Sequence, residues 1–181
     1  MLKKTLILAA LTVILLSACQ ADPTEAPPLE GEAFELYLVA DEQMAGPDIK
    51  NYELSELPLA DEPIITTENI ENYLWDVHAI NLKADFYKQF LAIFSGGMPM
   101  SGVPFVVLSN NERIYAGAFW SPASSLPFDG VVIMQPFDPS GQPLLISLGY
   151  PGNDFFTGED PRDDPRLLNA LEQAGLLYED E

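Results

Sequence analysis

Few side chains in these 181 residues can act as nucleophile, base or soft metal ligand: Cys19 is the single thiol and His78 the single imidazole. A serine nucleophile with a histidine base therefore has to combine His78 with Ser95, Ser101, Ser121, Ser124 or Ser125, and no spacing singles one of them out. A Gly-x-Ser-x-Gly elbow, a serine or threonine three residues before a lysine, a phosphate-binding loop and a zincin helix are all missing. Zinc sites draw on several cysteines or histidines, and one of each is not enough, so zinc is not expected. Calcium fits better, because Asn153 to Asp164 gathers hard oxygen ligands around Gly158, with Asp154, Glu159 and Asp160 as candidates. The spacing is not that of a helix-loop-helix calcium site, Arg162 offsets part of the charge, and Asp163 and Asp164 also favour the start of a helix.

The remaining candidates are aromatic. Phe119-Trp120-Ser121-Pro122-Ala123-Ser124-Ser125 is a strand end that enters a small, hydroxyl-rich loop. Trp120 beside Ser121, Ser124 and Ser125 would offer a stacking face with hydrogen-bonding groups, a combination suited to a sugar, a peptide or a small ligand. The competing reading places Trp120 in the core under a covering layer, and Trp75, beside Tyr73 and Leu74, carries the same ambiguity.

Cys19 stands apart because its surroundings define its chemistry. Met1-Leu2-Lys3-Lys4 is followed by an apolar run of 11 residues from Leu6 to Leu16, then Ser17-Ala18-Cys19. A helix needs about 20 apolar residues to cross a bilayer. A basic end, a short apolar run and small residues form an export signal instead. Leu16-Ser17-Ala18-Cys19 resembles the lipoprotein signal of bacteria at all four positions of the motif, over about the first twenty residues. The resemblance implies cleavage before Cys19, diacylation of its thiol and residence on the outer side of a membrane. Two or more acyl chains hold a protein stably where one does not. The mature chain would then have no thiol for a disulfide, a nucleophile or a metal. Beyond the signal, the domain is similar to small lipoprotein domains in general, which supplies no functional residue.

Charge narrows the partners. The chain carries 8 basic and 28 acidic residues, a net charge of −20, and loss of Lys3 and Lys4 with the signal would take it to −22. Phosphate backbones are bound through clustered lysine and arginine, so nucleic acid is not an expected partner. An anionic lipid surface would also repel the domain, leaving the lipid as its hold on the membrane.

The elements that must position these residues follow from pattern. Residues 1–18 read as signal and 19–33, rich in Pro, Glu and Ala, as a disordered tether reaching roughly 40 Å. Residues 34–181 form one acidic, β-rich domain. Phe34–Val39, Ile64–Thr66 and His78–Leu82 suit strands, and Thr67 would cap a short helix bearing Ile70, Tyr73 and Leu74. Asp85 would start a second helix ending at Gly96-Gly97. Pro104–Leu108 and Arg113–Trp120 flank the turn Ser109-Asn110-Asn111-Glu112 as a hairpin, apolar on both parities and so covered on both faces. Gly130–Met134 and Leu144–Leu148 continue the sheet, and Asp164-Pro165 opens a last helix that Gly175 ends. The expected class is α+β: a mostly antiparallel sheet of five to seven strands with two or three helices.

No cofactor is called for. The reading is a membrane-tethered extracytoplasmic binding or interaction module, whose partner is an envelope protein or a small ligand. Its alternatives are an envelope hydrolase using His78 with a loop serine and a structural envelope protein.

Overall fold

The computed structural model describes residues 29–135 and 141–178. The signal segment, Cys19 and most of the proposed tether lie outside the described residues.

One eight-stranded sheet organises the chain. Its strands are β1 (Glu35–Leu38), β2 (Ile65–Thr66), β3 (Ile70–Leu74), β4 (Ala79–Leu82), β5 (Val103–Ser109), β6 (Glu112–Trp120), β7 (Phe128–Met134) and β8 (Leu144–Tyr150), with helices α1 (Ala84–Ile93) and α2 (Pro165–Gln173). Across the sheet they run β2-β1-β5-β6-β7-β8-β4-β3. The sheet has more strands than the sequence pattern suggests, and it is mixed. All pairings are antiparallel except β6 with β7, where Gly117 stands opposite Val131 and Trp120 opposite Met134. Only residues 121–127 join these two parallel strands, fewer than the dozen or more that such a crossover usually takes.

The hairpin of β5 and β6 is the centre of the sheet. Asn110 and Asn111 both take positive φ (51° and 64°), the left-handed pair that a tight hairpin needs and that asparagine tolerates. Successive residues of β5 then alternate between two cores. Phe105 and Val107 join a larger cluster with Phe90 of α1 and Leu167 of α2, whereas Val106 and Leu108 join a second cluster with Ile49, Leu57 and Trp120. The two apolar parities thus serve two buried faces. Helices cover one face; the other is covered by the segment containing the 3-10 turns Gly46–Asn51 and Leu54–Glu56. Arg113 ties that cover to β6, its Nη1 donating to the carbonyls of Leu54 (2.5 Å) and Leu57 (2.7 Å).

Two boundaries differ from the sequence reading. Ile70–Leu74 is strand β3, not a helix. A register shift between Ile70 and Asn72 lets Ile70 and Tyr73 both point into the core, so a bulged strand imitates the three-residue spacing of a helical face. Residues 29–33, assigned to the tether by composition, are packed against the hairpin. Glu30 and Gly31 donate their N–H groups to Asn110 Oδ1, Asn110 donates to the Glu32 carbonyl at 2.7 Å, and Ala33 is buried.

Candidate functional site

The histidine and part of the acidic segment come together at the corner between β3 and β4. His78 follows the 3-10 turn Trp75–Val77 and sits in the left-handed region (φ 49°, ψ 60°), uncommon for a residue with a side chain. Its N–H donates to the Trp75 carbonyl at 3.1 Å, and its own carbonyl accepts from the Ile146 N–H of β8 at 2.8 Å. The half-buried Trp75 ring meets the imidazole edge-on, with centroids 5.5 Å apart. The side chain of His78 is only 10% exposed.

The acidic segment is built from a tripeptide used twice: Asp160-Pro161-Arg162 and Asp164-Pro165-Arg166. Each proline begins a helical turn, a 3-10 turn at Pro161–Asp163 and α2 at Pro165. Each aspartate caps that turn by accepting from the backbone N–H of its arginine. Each guanidinium folds back on the same aspartate, Arg162 at 2.9 and 2.5 Å and Arg166 at 3.0 and 2.7 Å. The copies differ in environment: the Arg162 side chain is 12% exposed and that of Arg166 49%. Arg162 also donates from Nη1 to the Ile146 carbonyl at 2.6 Å, whereas Arg166 reaches Glu112 at 2.7 Å.

Asp163 lies between the copies, its Oδ1 3.4 Å from His78 Nε2. One ligating atom from each of His78, Asp160 and Asp163 falls within 4.8 Å of the others, the only such trio among the described residues. Asp154 and Glu159, grouped with Asp160 as calcium candidates, are not gathered with it; Asp160 has His78 and Asp163 as its neighbours instead. Sequence reasoning missed this pairing of His78 with Asp163 because the two are distant along the chain. The repeated Asp-Pro turn opener was the available local signal.

Electrostatics at the corner favour a neutral imidazole. Burial lowers the His78 pKa and the Arg162 charge lowers it further, against the opposing pull of Asp163, Asp160 and Asp76. Arg162 in turn holds the Asp160 carboxyl below its usual range. The hydroxyls of Tyr73 and Tyr115 are buried without a hydrogen-bond partner, and burial raises both well above the ordinary phenol value. His78 Nδ1 is likewise buried and unpartnered.

No serine completes a catalytic pair with this histidine among the described residues. Ser121 and Ser124 are buried on the crossover between β6 and β7, which their hydroxyls pin in place. Ser121 Oγ accepts from the Ala123 N–H (3.2 Å), and Ser124 Oγ accepts from the Leu126 N–H (3.2 Å) while donating to the Met100 carbonyl (2.7 Å). Tyr150 adds its hydroxyl to the carbonyls of Pro122 and Ser124. Ser125 is exposed. Trp120 is fully buried and stacks on Phe128 at 4.9 Å and 8°, so its ring faces are packed against the second core and offer no stacking surface to a ligand. Phe119 and Trp120 serve different faces of the sheet, and both faces are covered, as the apolar parities suggest.

A separate cleft of about 230 Å³ opens between the β5–β6 turn and α2, lined in part by Leu29, Ser109, Asn169 and Gln173. Ser109 Oγ is buried there without a partner. Asn169 and Gln173 stand one helical turn apart on α2, so their carboxamides share a face. Arg166 and Glu112, paired with each other, close one side.

No family model, no curated protein and no solved structure matches the chain.

Proposed function

We propose that the protein is a lipid-tethered, extracytoplasmic binding module. The observation that carries the reading is Leu16-Ser17-Ala18-Cys19 behind Lys3-Lys4 and an apolar run too short to span a bilayer. The lipid supplies a hold that the charge does not, since a domain at −22 would be repelled by anionic headgroups. Glu30 and Gly31 are hydrogen-bonded to Asn110 in the turn of the β5–β6 hairpin, and the proposed tether precedes them. The cleft holding Ser109, Asn169 and Gln173 is lined by Leu29 at the same turn, so the proposed tether would leave the domain beside it. Unpaired carboxamides and a hydroxyl, with charged neighbours already paired to one another, suit a small uncharged polar ligand.

Replacing Cys19 by Ala tests the anchor in cells. The protein should move from the membrane fraction to the soluble or secreted fraction and lose incorporation of labelled palmitate; unchanged membrane retention and labelling would reject the proposal.

A further inference from the structure

We infer that His78, Asp160 and Asp163 form a binding site for a divalent first-row transition ion, Zn²⁺ or Mn²⁺, at the corner between β3 and β4. Two donors bound to one zinc at about 2.0–2.2 Å each, at a tetrahedral angle, stand about 3.3–3.6 Å apart. His78 Nε2 and Asp163 Oδ1 are 3.4 Å apart, and the Asp160 oxygen completes a trio within 4.8 Å. Asp160 keeps capacity despite Arg162. Its Oδ1 accepts from Arg162 N and Nε, but Oδ2 accepts only from Nη2, leaving one lone pair. Asp163 has no hydrogen bond beyond its approach to His78, and both its oxygens are available.

A second observation comes from the imidazole itself. The side chain is nine-tenths buried, Nδ1 has no partner, and Nε2, which faces the carboxylates, makes only the 3.4 Å approach to Asp163. A metal ion supplies Nε2 with a partner. The Trp75 ring packs against the imidazole, and bonds to Trp75 and β8 fix the His78 backbone that carries it. One nitrogen and two carboxylate oxygens favour a transition ion over calcium, which prefers oxygen alone. Three protein ligands leave at least one coordination position for water or a bound molecule. The chain's net charge of −20 raises the local concentration of any cation. A single histidine spoke against zinc in the sequence; two aspartates brought beside it by folding change that balance. The site does not depend on Cys19, so its failure would leave the anchor proposal standing.

The full chain, purified in detergent and stripped with a chelator, is titrated with Zn²⁺, Mn²⁺ and Ca²⁺, reading bound metal per chain after dialysis and the shift in melting temperature. The inference expects one Zn²⁺ or Mn²⁺ per chain, a raised melting temperature, and at least a tenfold loss of affinity in both His78→Gln and Asp163→Asn. Asp163 is a largely exposed side chain, so its variant should fold even if His78→Gln does not. Asp154→Asn and Glu159→Gln should bind as the parent does. No stoichiometric uptake, uptake that Asp163→Asn leaves intact, or calcium binding tighter than both transition ions would overturn the site.

Discussion

Arg162 and Asp160 form a fork across two residues of sequence, with Nε and Nη2 on the two carboxylate oxygens at 2.9 and 2.5 Å. Arg166 and Asp164 repeat the same fork four residues later at the surface. The buried copy also takes the Ile146 carbonyl of β8, so it fastens the acidic segment to the sheet. Arg162→Met should therefore cost about 2–4 kcal/mol, because it removes the ion pair of a part-buried carboxylate and a bond to a backbone carbonyl, whereas Arg166→Met should cost under about 1 kcal/mol. Urea unfolding of the two variants measures the difference. Equal costs would mean that burial does not separate the copies.

Trp120 belongs to the core in this account, not to a ligand. Trp120→Ala should lose about 3–5 kcal/mol of stability. Trp120→Phe should cost less, because the indole Nε1 it removes has no hydrogen-bond partner. Gly102→Ala probes the same packing from the other side. Gly102 has φ +75° and a Cβ there would lie 2.4 Å from the indole, so about 1–3 kcal/mol should be lost. Thermal or urea unfolding checks all three, and a Trp120→Ala protein as stable as the parent would refute the packing.

How much of this was legible in the sequence depended on whether the deciding information was local. The β5–β6 hairpin was, since Asn110-Asn111 names its own turn and the double apolar parity announces two covered faces. The caps of α2 were too, in Asp164-Pro165. Ile70–Leu74 misled because a bulge shifts strand parity by one residue, and over five residues that cannot be told from a helix. The parallel pairing of β6 with β7 was hidden because residues 121–127 look like any short loop; of the serines read there as ligand donors, Ser121 and Ser124 brace that crossover. The trio of His78, Asp160 and Asp163 is created by folding, and no spacing in the chain announces it.

Tyr73 and Tyr115 give the opposite expectation from most buried substitutions. Each hydroxyl is buried without a partner, and removing an unsatisfied polar atom restores nothing to solvent. Tyr73→Phe and Tyr115→Phe should each be neutral or stabilising, within about 1 kcal/mol, by urea unfolding. A loss above about 2 kcal/mol would show that the hydroxyls are hydrogen-bonded in the folded protein.

Asp129 on β7 pairs with Lys50 and accepts from the Thr157 N–H and hydroxyl, both at 2.8 Å. The Lys50 bond, helped by Thr157 and opposed by partial burial, holds its pKa down to about 2. The unfolded value is about 3.9, so its contribution to stability is complete above that pH and is lost as pH falls toward 2. Asp129→Asn should lower stability at pH 7 and make the fall between about pH 4 and pH 2 shallower. Unfolding measured across that range tests the sign, and an unchanged slope would count against the pairing.

The anchor is the claim on which the functional account rests, and intact-mass and N-terminal peptide mass spectrometry of the protein from its native membrane tests it most directly. The account predicts a chain beginning at Cys19 with two acyl chains carried through its sulfur. A chain that retains residues 1–18, begins elsewhere, or carries an unmodified Cys19 would contradict it.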